Sequence, residues 1–276
     1  MPRSLVRLTD WSADDIEHVF RLAEAYRQGH GPATNGCAAM FFPSASIRTR
    51  ITFERGAHLM GLQPVLFPPE TLDKPEEPAD VVGYLANWAD VVVARHPDIA
   101  VIERLAAPGT LPVINAMTDV NHPCEVLADV YTLAQTRDVR TLRFVFVGPD
   151  GNIARAWAEI AAVLGLELIQ SCPLDLATAG VTCVTDLRAA MRDADVVLTD
   201  TFGSNTAALE THRVTAEVMA LARPGALLAP CPPFTRGAEV SADVVRQGGP
   251  FVGYEFKASL LHVHQAVLAT CLDLEQ

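Results

Sequence analysis

The chain has 276 residues, half of them apolar and a fifth charged, enough to bury a large core in one large or two medium domains. Its 33 acidic residues against 21 basic ones give a formal charge of −12, which excludes a nucleic-acid surface built on general basicity and makes any arginine cluster local. No run approaches the ~18 apolar residues of a membrane span, and MPRSLVRLTDWSADDIEHVF lacks the apolar core of a leader, so a soluble cytoplasmic protein with no membrane partner is expected.

Ser12 followed by Asp15 predicts a helix N-cap, leading into Ile16, Val19, Phe20, Ala23 and Tyr26 at helical spacing. Short apolar segments then alternate with helical patterns: CAAMFF before a helix from about Arg48, PVLF before one from about Ala79, DVVVA before a short one around Ile102, and PVINA before one from about Pro123. That alternation predicts a parallel α/β sheet, with PPETLDKPEEP (68–78) as a mobile loop. The polar stretch around Gln135 to Thr141 marks a boundary, after which LRFVFVG, LELIQS, DVVLTD and ALLAPC repeat the pattern. The expected fold class is α/β, two domains each with a parallel β-sheet flanked by helices. Their expected limits are 1–135 and 136–256, with 257–276, carrying LLHVHQAVLATCL, as a C-terminal helix packing back on the first domain.

The six cysteines are scattered with no C-x-x-C pair, so neither a disulfide framework nor a zinc ribbon is indicated, and no metal or cofactor is called for. GPDGNIARAW follows a strand and opens a helix, but it lacks the middle glycine of a dinucleotide fingerprint and no acidic residue ends LELIQS. A nicotinamide-dependent oxidoreductase is therefore disfavoured.

In FFPSASIRTRITFERGAHLMG (41–61) a strand ends at Phe42, Pro43 breaks it, and Phe53, Ala57 and Met60 give the next helix a buried face that Gly61 ends. Ser46, Ile47, Arg48 and Thr49 then fall on a helix N-terminus, with unpaired N–H groups, a positive dipole end, two hydroxyls and a guanidinium. Local chemistry leaves two readings open, a site for a phosphate-sized anion or an N-cap with solvated arginines. Taken singly, His122 also reads as a structural histidine, Arg95 as a rim residue, Lys74 as a solvated loop lysine and Asp200 as a turn cap.

S-x-R-T-R followed by a Phe-Glu helix resembles the carbamoyl-phosphate loop of the aspartate and ornithine carbamoyltransferases. DVVVARHP (90–97) resembles that family's second phosphate-arginine segment, and NHPCEVLADVYTLAQ (121–135) its H-P-x-Q motif and helix. VFVGPDGNIARAW, VVLTDTFGS, APCPPFTRGAEV and LLHVHQAVL follow in the family's order.

The resemblance implies carbamoyl phosphate and an amino-acid-like amine as substrates, bound in a cleft between the domains, with no covalent enzyme intermediate. It implies that Ser46, Arg48, Thr49, Arg95 and the Ile47 backbone hold the phosphate, that His122 donates to the carbamoyl oxygen, and that Glu125 holds the carbamoyl nitrogen. Lys74 resembles a lysine that aspartate carbamoyltransferases insert into the neighbouring subunit's site. Asn152 matches an α-carboxylate ligand and Asp200 an α-amino ligand in ornithine enzymes, Ser204 and Arg236 complete the amine set, and Cys231 borders the reacting amine. The implied catalytic residues are Arg48, His122, Glu125 and Cys231, in a homotrimer or a multiple of trimers. Arg50 and Arg55 read as structural or interface residues.

Several positions depart from the family pattern. Ile47 stands where a threonine is usual, Glu125 where glutamine is, Asn205 where ornithine enzymes have methionine, and Pro230 where the histidine of H-C-L-P falls. Ser259-Leu260-Leu261-His262 lacks the arginine of N-R-L-H. The expected activity is carbamoyl transfer to ornithine or a related diamino acid, giving a ureido product and phosphate. The alternative is a non-catalytic paralogue with a binding or regulatory role.

Overall fold

A computed structural model describes residues 3–246 and 249–274. Helix α1 (Ala13–Arg27) starts at Ser12, whose hydroxyl accepts the Asp15 N–H at 3.3 Å while the Asp15 carboxylate accepts the Ser12 N–H at 2.8 Å. This reciprocal capping box satisfies two donors that a helix start otherwise leaves open. Strand β1 (Gly36–Phe41) leads to helix α2 (Arg48–Met60). Gly61 ends α2 at φ +93°, where a Cβ would lie 2.0 Å from the Thr34 carbonyl oxygen, so both conformation and space require glycine. Next come β2 (Leu62–Phe67), α3 (Pro78–Leu85), β3 (Val91–Arg95), α4 (Ile99–Ala106), β4 (Val113–Met117) and α5 (Pro123–Ala134).

The chain continues with β5 (Arg143–Val147), α6 (Asn152–Leu164), β6 (Glu167–Ser171), β7 (Thr182–Cys183) and α7 (Leu187–Ala190). It then forms β8 (Val196–Thr199), α8 (Ala216–Met219), β9 (Leu227–Pro230) and α9 (Leu260–Cys271). Two compact units result, Met1–Thr132 with Lys257–Gln276, and Leu133–Phe256.

The first unit holds a parallel sheet in the order β2-β1-β3-β4. Val91, Val92, Val93, Val113 and Ile114 are fully buried, which is why β3 and β4 read as unbroken apolar runs. Helix α9 packs against α1 and α2, and Gly56 lets it come close: a Cβ there would meet the Gln265 side chain at 3.1 Å. The second unit holds a parallel sheet in the order β7-β6-β5-β8-β9, with Phe144 of β5 against Trp157 of α6 in its core. Both sheets are flanked by helices, the expected fold class.

Two details differ from the sequence reading. Strand β7 is two residues long, too short to show a period. Part of the loop expected over 68–78 is a 3-10 turn, Pro69–Asp73, and Pro78 already belongs to α3. The turn is tied down by the His96 ring, whose Nε2 lies 2.9 Å from the Asp73 carboxylate, a partner 23 positions away that local composition does not reveal. Among the described residues no helix is long and apolar enough to cross a membrane.

Candidate active site

In the first unit β1, β3 and β4 run in the same direction and end side by side, and the segments after their C-terminal ends carry the charged residues. Ligands of open α/β sheets bind at this edge. Ser46 is buried, and its hydroxyl accepts a hydrogen bond from Arg95 Nη1 at 3.2 Å, joining the end of β3 to the loop before α2. Ile47 is the N-cap of α2 and makes no side-chain cap bond, so the first turn's N–H groups are not closed from the cap. Its side chain is 72% exposed, leaving its backbone as its contribution. Arg48 is the first residue of α2 and is exposed, while Thr49 is buried. Burial, and then the like charge of Arg48, push the Arg95 guanidinium below its usual range. Two guanidiniums, one feeling the other's charge, near a helix N-terminus fit an anion that accepts from both. A cavity of about 250 Å³ lies beside Arg95, lined also by Pro43, Thr118 and Asp119 among others.

His122 and Glu125 occupy the start of α5. His122 is 6% exposed, and burial followed by the charges of Arg95, Lys257 and Arg48 lowers it to about 4 against the pull of Glu125, so the ring is neutral at pH 7. Its Nε2 lies 3.9 Å from Glu125 Oε2, beyond hydrogen-bond reach, and its buried Nδ1 has no hydrogen-bond partner among the described residues. A buried polar atom left this way costs about 1–3 kcal/mol.

Glu125 is buried, and Lys257, just before α9, lies 2.7 Å from its Oε1 and 2.5 Å from Asp129 Oδ1. Burial alone would raise the Glu125 carboxyl, but Lys257 and His122 outweigh it and hold Glu125 below the usual carboxylate range. Lys257 stands in none of the motifs that point to the site, and Asp129 stands in NHPCEVLADVYTLAQ but is given no role there. Asp129 did leave a signal, a second carboxylate four residues after Glu125 on an otherwise apolar helix face. Lys257 left none, because its partners are more than a hundred positions away.

Lys74 follows the Pro69–Asp73 turn and is exposed, lining a cavity of about 400 Å³ with Asp73, His96 and Arg104 that none of Ser46, Arg48 and Arg95 lines. Arg50 is paired with Glu54 one turn along α2 at 2.5 Å, and Arg55 is exposed.

In the second unit β5, β8 and β9 are neighbours in that order, and their C-terminal ends place the remaining candidates along one sheet edge. Asn152 is the first residue of α6 after β5, half-buried Asp200 follows β8, and Ser204 sits in an exposed 3-10 turn over Gly203–Asn205. Cys231 is buried directly after β9, its N–H donating to the Thr199 carbonyl at 2.7 Å. Arg236 is exposed, with its guanidinium 6.0 Å from the Phe234 ring. Buried Glu239 accepts from the Phe202 N–H at 2.9 Å and the Thr235 N–H at 2.6 Å, tying the Ser204 turn to the Arg236 segment. The motif TRGAEV contains Glu239, but only the structure shows this role. Arg155 of α6 is ion-paired with Asp150.

The family model described as the carbamoyl-P binding domain of aspartate/ornithine carbamoyltransferase matches residues 3–135, and the one described as the Asp/Orn binding domain matches 140–271. The chain belongs to this family. Its relatives include ornithine carbamoyltransferases from Desulfotalea psychrophila, 32% identical over 97% of this chain and 98% of that one, and from Geobacter metallireducens, 29% identical over 99% and 100%. The solved ornithine carbamoyltransferase from Pyrococcus furiosus superposes with a TM-score of 0.92 at 26% identity, covering 100% of this chain and 98% of its own. The family is one of transferase enzymes, and these relatives place the chain on its ornithine-type side.

Proposed function

We propose that the protein moves the carbamoyl group of carbamoyl phosphate to a side-chain amine of ornithine or a related diamino acid, giving a ureido product and phosphate. The observation that carries this reading is the joining of Arg95 to Ser46 near the start of α2, where Arg48 lies, with a neutral His122 in the same unit. Ser46, Arg48, Thr49, Arg95 and the Ile47 N–H hold the phosphate. In either tautomer neutral His122 has one N–H to give, and it donates to the carbamoyl oxygen as charge grows there. Glu125 accepts from the carbamoyl NH2.

Asn152, Asp200, Ser204 and Arg236 hold the amino-acid end of the amine, with Cys231 beside the reacting nitrogen. The amine lone pair forms the C–N bond, the C–O bond to phosphate breaks, and the attacking nitrogen gives up a proton to the departing phosphate. Catalysis rests on positioning and charge stabilisation. The exposed apolar residues of α2 and of edge strand β2 support the homotrimer reading, in which Lys74 reaches a neighbouring copy's site.

The test is to incubate carbamoyl phosphate with a panel of amines, including ornithine, shorter diamino acids, an acylated ornithine and aspartate, and to measure phosphate and ureido product. The expected result is a ureido product from a diamino acid at a rate that rises with pH as its ammonium deprotonates. Product from no amine would overturn the reading and favour a non-catalytic paralogue.

A further inference from the structure

Glu125 and Asp129 lie one turn apart on α5, 5% and 3% exposed, and two carboxylates so placed repel. Lys257 Nζ bridges them, at 2.7 Å from Glu125 Oε1 and 2.5 Å from Asp129 Oδ1, with its side chain 15% exposed. Glu125 is therefore used asymmetrically. Oε1 faces the ammonium, while Oε2 faces His122 Nε2 at 3.9 Å, a gap that leaves it able to accept from a ligand.

We propose that Lys257 is a positioning residue that keeps Glu125 an ionised, fixed acceptor with Oε2 presented to the carbamoyl nitrogen, so that a carboxylate serves beside a phosphate dianion. The inference rests on the carbamoyltransferase reading. An isolated carboxylate among bound phosphate oxygens would repel them, and pairing with an ammonium removes that net charge. The groups facing Glu125 are Lys257, His122, His264 and Asp129, with Arg95 acting over a longer range. The two histidines are held neutral by burial, and Lys257 is the cation in direct contact. The leftover negative charge falls on Asp129, whose carboxyl is raised by burial and then by Glu125, and it is Asp129, farther from His122 along α5, that takes up a proton first.

The test compares wild type, Lys257→Met, Glu125→Gln with Lys257→Met, and the uncharged triple variant Glu125→Gln, Asp129→Asn, Lys257→Met. Steady-state kinetics for carbamoyl phosphate are run between pH 6 and 8, and calorimetry follows binding of inorganic phosphate. Lys257→Met is expected to raise KM for carbamoyl phosphate by about tenfold or more, with a smaller change in kcat. Its KM should fall as pH is lowered, because an unpaired Glu125 regains a proton. Adding Glu125→Gln should abolish that pH trend and bring KM below that of Lys257→Met, and the triple variant should show the same pH-independent KM.

An unchanged KM and pH profile in Lys257→Met, or a defect that Glu125→Gln does not relieve, would overturn the proposal and leave a structural ion pair. If Lys257→Met alone fails to fold, the double and triple variants decide: phosphate binding in either supports the proposal, and its loss in both overturns it. A wild-type protein that binds neither carbamoyl phosphate nor phosphate would overturn the carbamoyltransferase reading itself, a failure seen without any variant.

Discussion

Arg95 is the residue on which phosphate binding turns, because it joins a strand end to the Ser46 hydroxyl and stands near enough to Arg48 to feel its charge. A hydrogen bond to a charged group is worth about 1.5–3 kcal/mol, so Arg95→Gln should weaken carbamoyl phosphate about 10- to 100-fold in KM or in calorimetric Kd. Arg50→Gln removes an equal charge two positions from Arg48 but breaks only the Glu54 pair, and it should change the same constants by less than about twofold. At this scale Ser46, Arg48, Arg95, His122 and Glu125 were legible through motifs that resemble the family's, since local chemistry alone left bland readings open. Lys257 and Glu239 were not legible, because their roles come from contacts with segments that no local spacing relates to them.

Among the elements, α9 packs on both α1 and α2. His264 stacks on Phe53 of α2 with ring centroids 3.8 Å apart, its Nδ1 lies 2.9 Å from Thr52 Oγ1, and burial lowers it to about 3. An unfolded chain takes a proton on this residue near pH 6.5 and the native one does not, so stability is complete above 6.5 and falls as pH drops toward 3. His122, lowered to about 4, has the same sign. Asp129 has the opposite sign, since its raised carboxyl lets the native state bind a proton first and gain stability below about pH 6. Two histidines outweigh one carboxyl, so the thermal unfolding midpoint should fall between pH 6.5 and 4.5. Each histidine contributes at most about 1.4 kcal/mol per pH unit. His264→Phe, which keeps a ring on Phe53, should make the same curve shallower. The elements that were legible are those with long periods or unbroken apolar runs, such as α1, β3 and α6, and β7 was missed because it is only a two-residue bridge to β6.

For the whole molecule, α2 carries Ile47, Ile51 and Leu59 at 72%, 60% and 51% exposure, and β2 is a sheet edge with Val65 at 39%. Ile51 and Leu59 fall out of phase with the buried series Phe53, Ala57 and Met60, so the helix is apolar on two sides and only one of them is covered within the chain. The protein is expected to sediment as a homotrimer or a multiple of it, and Ile51→Asp should shift it to smaller species with loss of any activity that depends on a neighbour's Lys74. A wild-type monomer at micromolar concentration would contradict this.

The first unit is assembled from two stretches of chain, with the second unit made in between. Translation therefore delivers Glu125 and Asp129 long before their shared ammonium, which is added 128 residues after Asp129. Until then the nascent first unit carries an unbalanced pair of carboxylates and lacks the helix that packs on α1 and α2, while the second unit is already whole. The unit that starts later on the ribosome is thus the one able to finish folding first, and Lys257 completes the acidic pair only as the chain comes back.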